Sequence, residues 1–187
     1  MSIIDAIYGR RSVRKYTNED VPKELVIKLI EAAIQAPSSS NLQPWSFAVI
    51  QNSDLLKIHS DQAKKLVLEK FGNSDDPRGY KKLLQSPDFN IFYNAGTLII
   101  IYAKGQGLTS MGDCCLAGQN LMLAAFSHGM GTCWIGFATY LINSAEFKQQ
   151  MGIPQDYRGV APIIVGYPDV KLAKIPRNPM EILAWKD

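Results

Sequence analysis

Four cations crowd into the six residues from Arg10 to Lys15, within the stretch GRRSVRKY, in a chain whose formal net charge is only +3. In an extended chain the side chains alternate between faces. Arg10, Ser12 and Arg14 then point one way, and Arg11, Val13 and Lys15 the other. Two guanidinium forks and a hydroxyl on one face suit phosphate oxygens, each charge-assisted hydrogen bond contributing about 1.5–3 kcal/mol. Taken alone, such a cluster is more often a solvated basic patch.

Further along the chain two polar segments could serve the same ligand. In APSSSNLQPW, residues 36–45, three serines, an asparagine and a glutamine follow a proline with no charge among them. Uncharged donors and acceptors on a turn match the edge of a flat heterocycle, and an ordinary polar loop is the equal alternative; Trp45 reads as core. In GMGTCWIG, residues 129–136, three glycines let backbone amides approach a ligand closely, or simply make a tight turn. No nucleophile or metal set stands out. His59 and His128 are far apart and read as surface or helix-end residues, and Asp113 as a first-turn acid favoured by a helix dipole.

The elements that must position these groups follow from periodicity. Ile3, Ile4, Ile7 and Tyr8 recur at helical spacing, and Gly9 is expected to turn left-handed and end the helix, so the basic stretch begins where a helix stops. Pro22 opens a second helix with Leu25, Val26, Leu29, Ile30 and Ala33 on one stripe, closed at Pro37. Strands are expected over Trp45–Ile50, Leu98–Ala103, Thr132–Phe137 and Val160–Tyr167, and a helix from Asp54 to about Lys70. The span Phe71–Phe89 reads as a long loop, and long connectors tend to be lids or mobile regions. Met111–His128 is helical but apolar all round, a helix that wants cover on every side, and a second subunit would supply it. Ser144 caps a brief helix, and Pro168, Pro176 and Pro179 hold an extended tail ahead of a short Met180–Trp185 run. Helices interleaved with about four strands give a mixed sheet covered by helices, α+β or α/β.

Length and composition bound the rest. The 187 residues, 47% of them apolar, fit one domain over residues 1–187. With 20 basic and 17 acidic residues the surface is mildly basic, which suits a phosphorylated small molecule better than a nucleic acid. Cys114, Cys115 and Cys133 lack metal or redox spacing, which fits a reducing cytoplasm, and the longest apolar run is too short for a membrane span.

In chain order, RRSxR, then APSSxNxQPW some twenty residues later, then GTCWIG after a long apolar helix, and an arginine in a proline-rich tail, resemble the nitroreductase family of FMN-dependent oxidoreductases. The resemblance runs over nearly the whole chain. It implies an α+β fold in an interlocked homodimer with two flavin sites at the subunit interface. It implies NAD(P)H as electron donor and nitroaromatics, quinones or related small molecules as acceptors, in a ping-pong cycle. Arg10, Ser12 and Arg14 match positions on the FMN phosphate and ribityl chain, and Arg11 is counted with them. Pro37, Ser38, Ser39 and Asn41 match a loop that reaches the flavin from the partner subunit. Ile135 and Gly136 match a segment whose amide approaches the flavin N5, and Arg177 matches a tail arginine on the phosphate. Some relatives carry a lysine where this chain has Ile175, and Lys174 lies one step earlier. Specialised branches that dehalogenate or degrade flavin, a non-catalytic FMN store and a plain nucleotide or RNA binder are the alternatives.

Overall fold

The apolar run before residue 104 is where the fold begins. The computed structural model describes residues 2–171, 173 and 175–187, and in it all seven residues of β2, Thr97–Ala103, are buried. A strand with both faces covered has no reason to alternate, which accounts for the unbroken Leu-Ile-Ile-Ile sequence. β2 lies in a four-stranded sheet of order β1-β2-β4-β3, with β1 at Trp45–Ile50, β3 at Gly131–Trp134 and β4 at Arg158–Gly166. Neighbouring strands pair antiparallel throughout. The one parallel pairing among the described residues is an isolated bridge between Ser12 and Thr132, so the mixed character expected of the sheet rests on that bridge alone and the class is α+β.

Helices cover both faces. On one side α2 (Lys23–Ala33) and α5 (Leu108–Ser127) pack on Ile99, Ile101, Ile163 and Val165. On the other, α3 (Ser53–Phe71), α4 (Tyr80–Gln85), α6 (Thr139–Ile142) and α7 (Ala145–Gln150) join Leu98, Ile100, Tyr102 and Ile164. The α5 face toward the sheet is small, with Ala117 and Gly118. A side chain at Gly118 would press on Trp134 and Ile163 at 3.2 and 3.3 Å. As its composition requires, α5 is not fully covered by its own chain, and Leu116 stays 48% exposed.

Four expectations change here. Gly9 is the last residue of α1, Ile3–Gly9, and has no left-handed backbone; a β-carbon there would lie 2.6 Å from the Phe126 ring. It is glycine so that α1 can touch α5. The span 71–89 is not all loop, because α4 lies within it. Asp113 is the sixth residue of α5 and not in its first turn. His59 is buried, 2% exposed, its ring edge-on to Phe147 at 4.9 Å and its Nδ1 paired with Gln62 Oε1 at 2.9 Å. His128 does sit at the helix end, capping α5.

Candidate functional site

Residues 10–17 run extended along the free edge of β3. Val13 N–H donates to the Thr132 carbonyl (2.9 Å), and Thr17 N–H to that of Tyr167 (2.9 Å), with a further bridge between Tyr16 and Pro168. The alternation read from the sequence is kept. Val13 is buried against β3, and Lys15 turns away to Asp169 at 2.9 Å. Ser12, Arg10 and Arg14 share a neighbour, the Cys133 thiol: burial pushes it up, while Arg14, the Ser12 hydroxyl and Arg10 each pull it back.

Arg11, expected among the cofactor-binding residues, has local partners as well. Its Nη1 donates to the carbonyls of Tyr8 and Arg10, 2.8 Å each, so it closes the end of α1. Arg177 comes to the site from the tail. Arg10 is held below its ordinary value by burial first, then by the nearby charges of Arg11 and Arg177. The ion pairs among the described residues, Lys15–Asp169 and Lys64–Asp61, involve none of Arg10, Arg14 and Arg177. Among the described residues no acid offsets these charges, which leaves the local potential positive. Lys174 lies outside the described residues.

The close seating of this segment depends on Gly131. A β-carbon on it would stand 2.6–2.9 Å from Cγ2, Cβ and Cγ1 of Val13, atoms next to the backbone that cannot swing aside. Gly131→Ala is expected to cost about 1–3 kcal/mol, lowering Tm by roughly 2–4 °C per kcal/mol at this chain length. Calorimetry checks it; an unchanged Tm would mean the segment is free to lift off β3.

Beside Arg14 opens a cavity of about 800 Å³. Its inner wall is Tyr93, Cys133, Ile135 and Gly136, and its outer wall is Phe71, Asp75, Arg78 and Tyr80. The long segment therefore does form the pocket wall, and it is stapled rather than loose. Asp76 accepts from the N–H groups of Tyr80 (2.8 Å) and Lys81 (2.6 Å). Lys81 Nζ donates to the carbonyls of Gly72 (2.8 Å) and Ser74 (2.6 Å). Lys64, 6% exposed, grips those of Ser86 (3.2 Å) and Phe89 (2.9 Å). Tyr80 meets Phe137 edge-to-face at 5.2 Å.

β3 ends at Trp134, short of the expected Phe137, and a 3-10 turn, Gly136–Ala138, follows. The Ile135 N–H is already spent on the Pro162 carbonyl at 2.8 Å. The Gly136 N–H has no acceptor among the described residues, and nothing lies within 4 Å of where its β-carbon would be. Of the Ile135 and Gly136 amides, only that of Gly136 lacks an acceptor among the described residues.

Pro37, Ser38, Ser39 and Asn41 lie elsewhere, for none of them lines this cavity. Ser39 N–H donates to both Asp113 oxygens (3.2 and 3.3 Å). Ser38 Oγ accepts from Gln43 N–H at 3.0 Å and Asn41 Oδ1 from Gln43 Nε2 at 3.1 Å. Ser40, Asn41 and Gln43 have φ of 50, 54 and 47°, each left-handed non-glycine residue costing about 1–3 kcal/mol. This loop is built to one shape, with buried Asp113 as its anchor, and it is presented outward from its own chain. Asp113, read from the sequence as a helix-dipole acid, has a different role here, and Tyr93 is not singled out by the sequence at all. The first spans 74 positions to its partner, and the second carries no turn signal.

Among the described residues, cations without an acidic partner and an amide without an acceptor lie beside an aromatic-lined hollow in a helix-covered sheet, the make-up of an α+β protein with a basic-edged pocket. The Nitroreductase family model matches residues 7–167, and the chain belongs to that family. A protein of Methanothermobacter thermautotrophicus, named as an NADH dehydrogenase/NAD(P)H nitroreductase, is 27% identical over 90% of this chain and 78% of its own. The iodotyrosine deiodinase of Thermotoga neapolitana is 25% identical over 94% of each chain. A crystal structure of a nitroreductase with bound FMN from Desulfitobacterium hafniense superposes with a TM-score of 0.81, at 25% identity over 95% of both chains.

Proposed function

We propose that the protein is a single-domain, FMN-dependent oxidoreductase that passes electrons from NAD(P)H to nitroaromatic, quinone or related acceptors by a ping-pong hydride mechanism. The observation that carries this reading is the meeting of Arg10, Ser12 and Arg14 at Cys133, with Arg177 near Arg10 and no acid paired to any of the three arginines among the described residues, next to the cavity. Arg10, Ser12 and Arg177 would hold the phosphate. Arg14, at the cavity's inner wall, would bring positive charge to the ring system, where negative charge develops on reduction. The Gly136 N–H is the free donor beside the same wall. Bound FMN would supply the hydride chemistry, so the chain need contribute only binding, orientation and electrostatics.

The site is incomplete in one chain. The strained 37–43 loop does not line its own chain's cavity, α1 exposes Ile3, Ile4, Ile7 and Tyr8, and the tail exposes Met180 and Leu183 at 85% and 90%. A homodimer in which each subunit's loop encloses the other's flavin accounts for all three. Cys114, Cys115 and Cys133 are all free thiols, consistent with the cytoplasm, and no helix among the described residues is long and apolar enough to cross a membrane.

Purified protein should be yellow, bleach anaerobically with NADH or NADPH, and regain colour with a quinone. Colour without bleaching would favour an FMN store, and no colour after incubation with FMN would remove the reading altogether. The deiodinase relative favours a second reading, reductive dehalogenation at the same site, which halide release from a halogenated phenol would reveal.

A further inference from the structure

Of the three arginines, Arg14 alone has an aromatic partner among the described residues: its Cζ lies 5.9 Å from the centre of the Tyr93 ring. Delivering that ring takes an unusual turn. Tyr93 and Asn94 are consecutive non-glycine residues with φ of 53 and 57°, a strained pairing that persists only where the surroundings fix it. Here they do. Phe92 N–H donates to Asn90 Oδ1 at 2.8 Å, and Asn90 Nδ2 donates to Asn94 Oδ1 at 3.0 Å. Tyr93 N–H donates to the Asn90 carbonyl at 2.9 Å, and Phe89 meets the Tyr93 ring edge-to-face at 5.7 Å. Ile91 and Phe92 are fully buried beneath.

The choice of partner has a chemical consequence. A carboxylate beside Arg14 would cancel its charge and occupy its N–H donors. An aromatic face attracts the cation through its quadrupole while leaving both the charge and the in-plane donors free. We propose that Tyr93 is a positioning residue that holds the Arg14 guanidinium in place chiefly by its ring, leaving the cation without a cancelling acid toward the FMN site. The inference rests on the FMN reading above and adds to it a residue that makes its contribution through Arg14.

Direct coupling between the pair agrees with this, since burial raises the Tyr93 phenol while the Arg14 charge and, less strongly, a hydrogen bond from Arg14 pull it down. FMN titration of the apoprotein, followed by flavin fluorescence, tests the role. Tyr93→Leu, which keeps bulk but loses the quadrupole, should weaken FMN binding about tenfold, and Tyr93→Phe should stay within about threefold. In an Arg14→Met background Tyr93→Leu should cost nothing further, because its effect runs through that cation. Equal affinity for the Leu and wild-type proteins, or losses that simply add in the double variant, would overturn the proposal. A readout without flavin is tyrosine ring-carbon NMR of the apoprotein, in which Arg14→Met should move the Tyr93 titration upward; a stationary titration would also overturn it. If wild-type protein does not bind FMN while this NMR shift appears, the functional reading fails and the Arg14–Tyr93 coupling stands.

Discussion

Arg14→Ala and Arg10→Ala should each purify nearly colourless, with FMN affinity lowered more than about a hundredfold, because each removes up to two charge-assisted bonds of about 1.5–3 kcal/mol. No acid is left unpaired by either change, since neither guanidinium has one among the described residues; the loss falls on the ligand rather than on folding. Lysine at either position should recover only part of the affinity, as a point charge lacks the fork that grips two oxygens. Arg11→Ala is the matched control, adjacent in sequence and equal in charge. Its guanidinium closes the end of α1 on the carbonyls of Tyr8 and Arg10, so the variant should keep its flavin and lose some melting temperature. Flavin absorbance per protomer and a fluorescence titration decide the matter. Full FMN in Arg14→Ala, or colour loss in Arg11→Ala equal to that in Arg10→Ala, would show that net charge and not the alternating face does the holding.

That contrast marks how far the sequence could be read. Local rules reached the face assignment of residues 10–15, the bounds of β1, the helix after Asn52 and the Ser144 cap, whose side chain accepts from Phe147 N–H. Each depends on neighbours within one turn or one pleat. What escaped depends on distance along the chain. Gly9 reads as a helix terminator from its own segment, and only Phe126, more than a hundred residues on, shows that the space is taken. Asp113 reads as a dipole acid until Ser39 arrives from another element. The α4 helix was hidden because its start is marked by Asp76, which caps it from beyond a left-handed Gly79. Tyr93 and Asn94 adopt a backbone that glycine would announce and they do not. The site was therefore legible where it uses pattern and illegible where it uses tertiary strain.

Removal of residues 179–187 should leave a protein that no longer pairs and no longer retains FMN, although none of the deleted residues lines the cavity. The described tail has no helix or strand, and Met180, Ile182, Leu183 and Trp185 are 85, 54, 90 and 79% exposed on the single chain. Burying four such side chains is worth roughly 6–12 kcal/mol at about 1.5–3 kcal/mol each, far more than a lone subunit could leave in water without cause. The natural recipient is a second copy. β1 is an outer strand of the sheet, with an unpaired backbone edge that invites an extended segment. Sedimentation of the truncated protein should give a monomer or aggregate where the full chain gives a dimer. Flavin content should fall with it, because in the proposed dimer the Asp113-anchored loop of residues 37–43, which does not line its own chain's cavity, encloses that of the neighbouring subunit. A truncated protein that remains a dimer would place the interface elsewhere, on α1 and α5. A truncated monomer that keeps its FMN would show that the arginine cluster suffices and that the strained loop serves some other end.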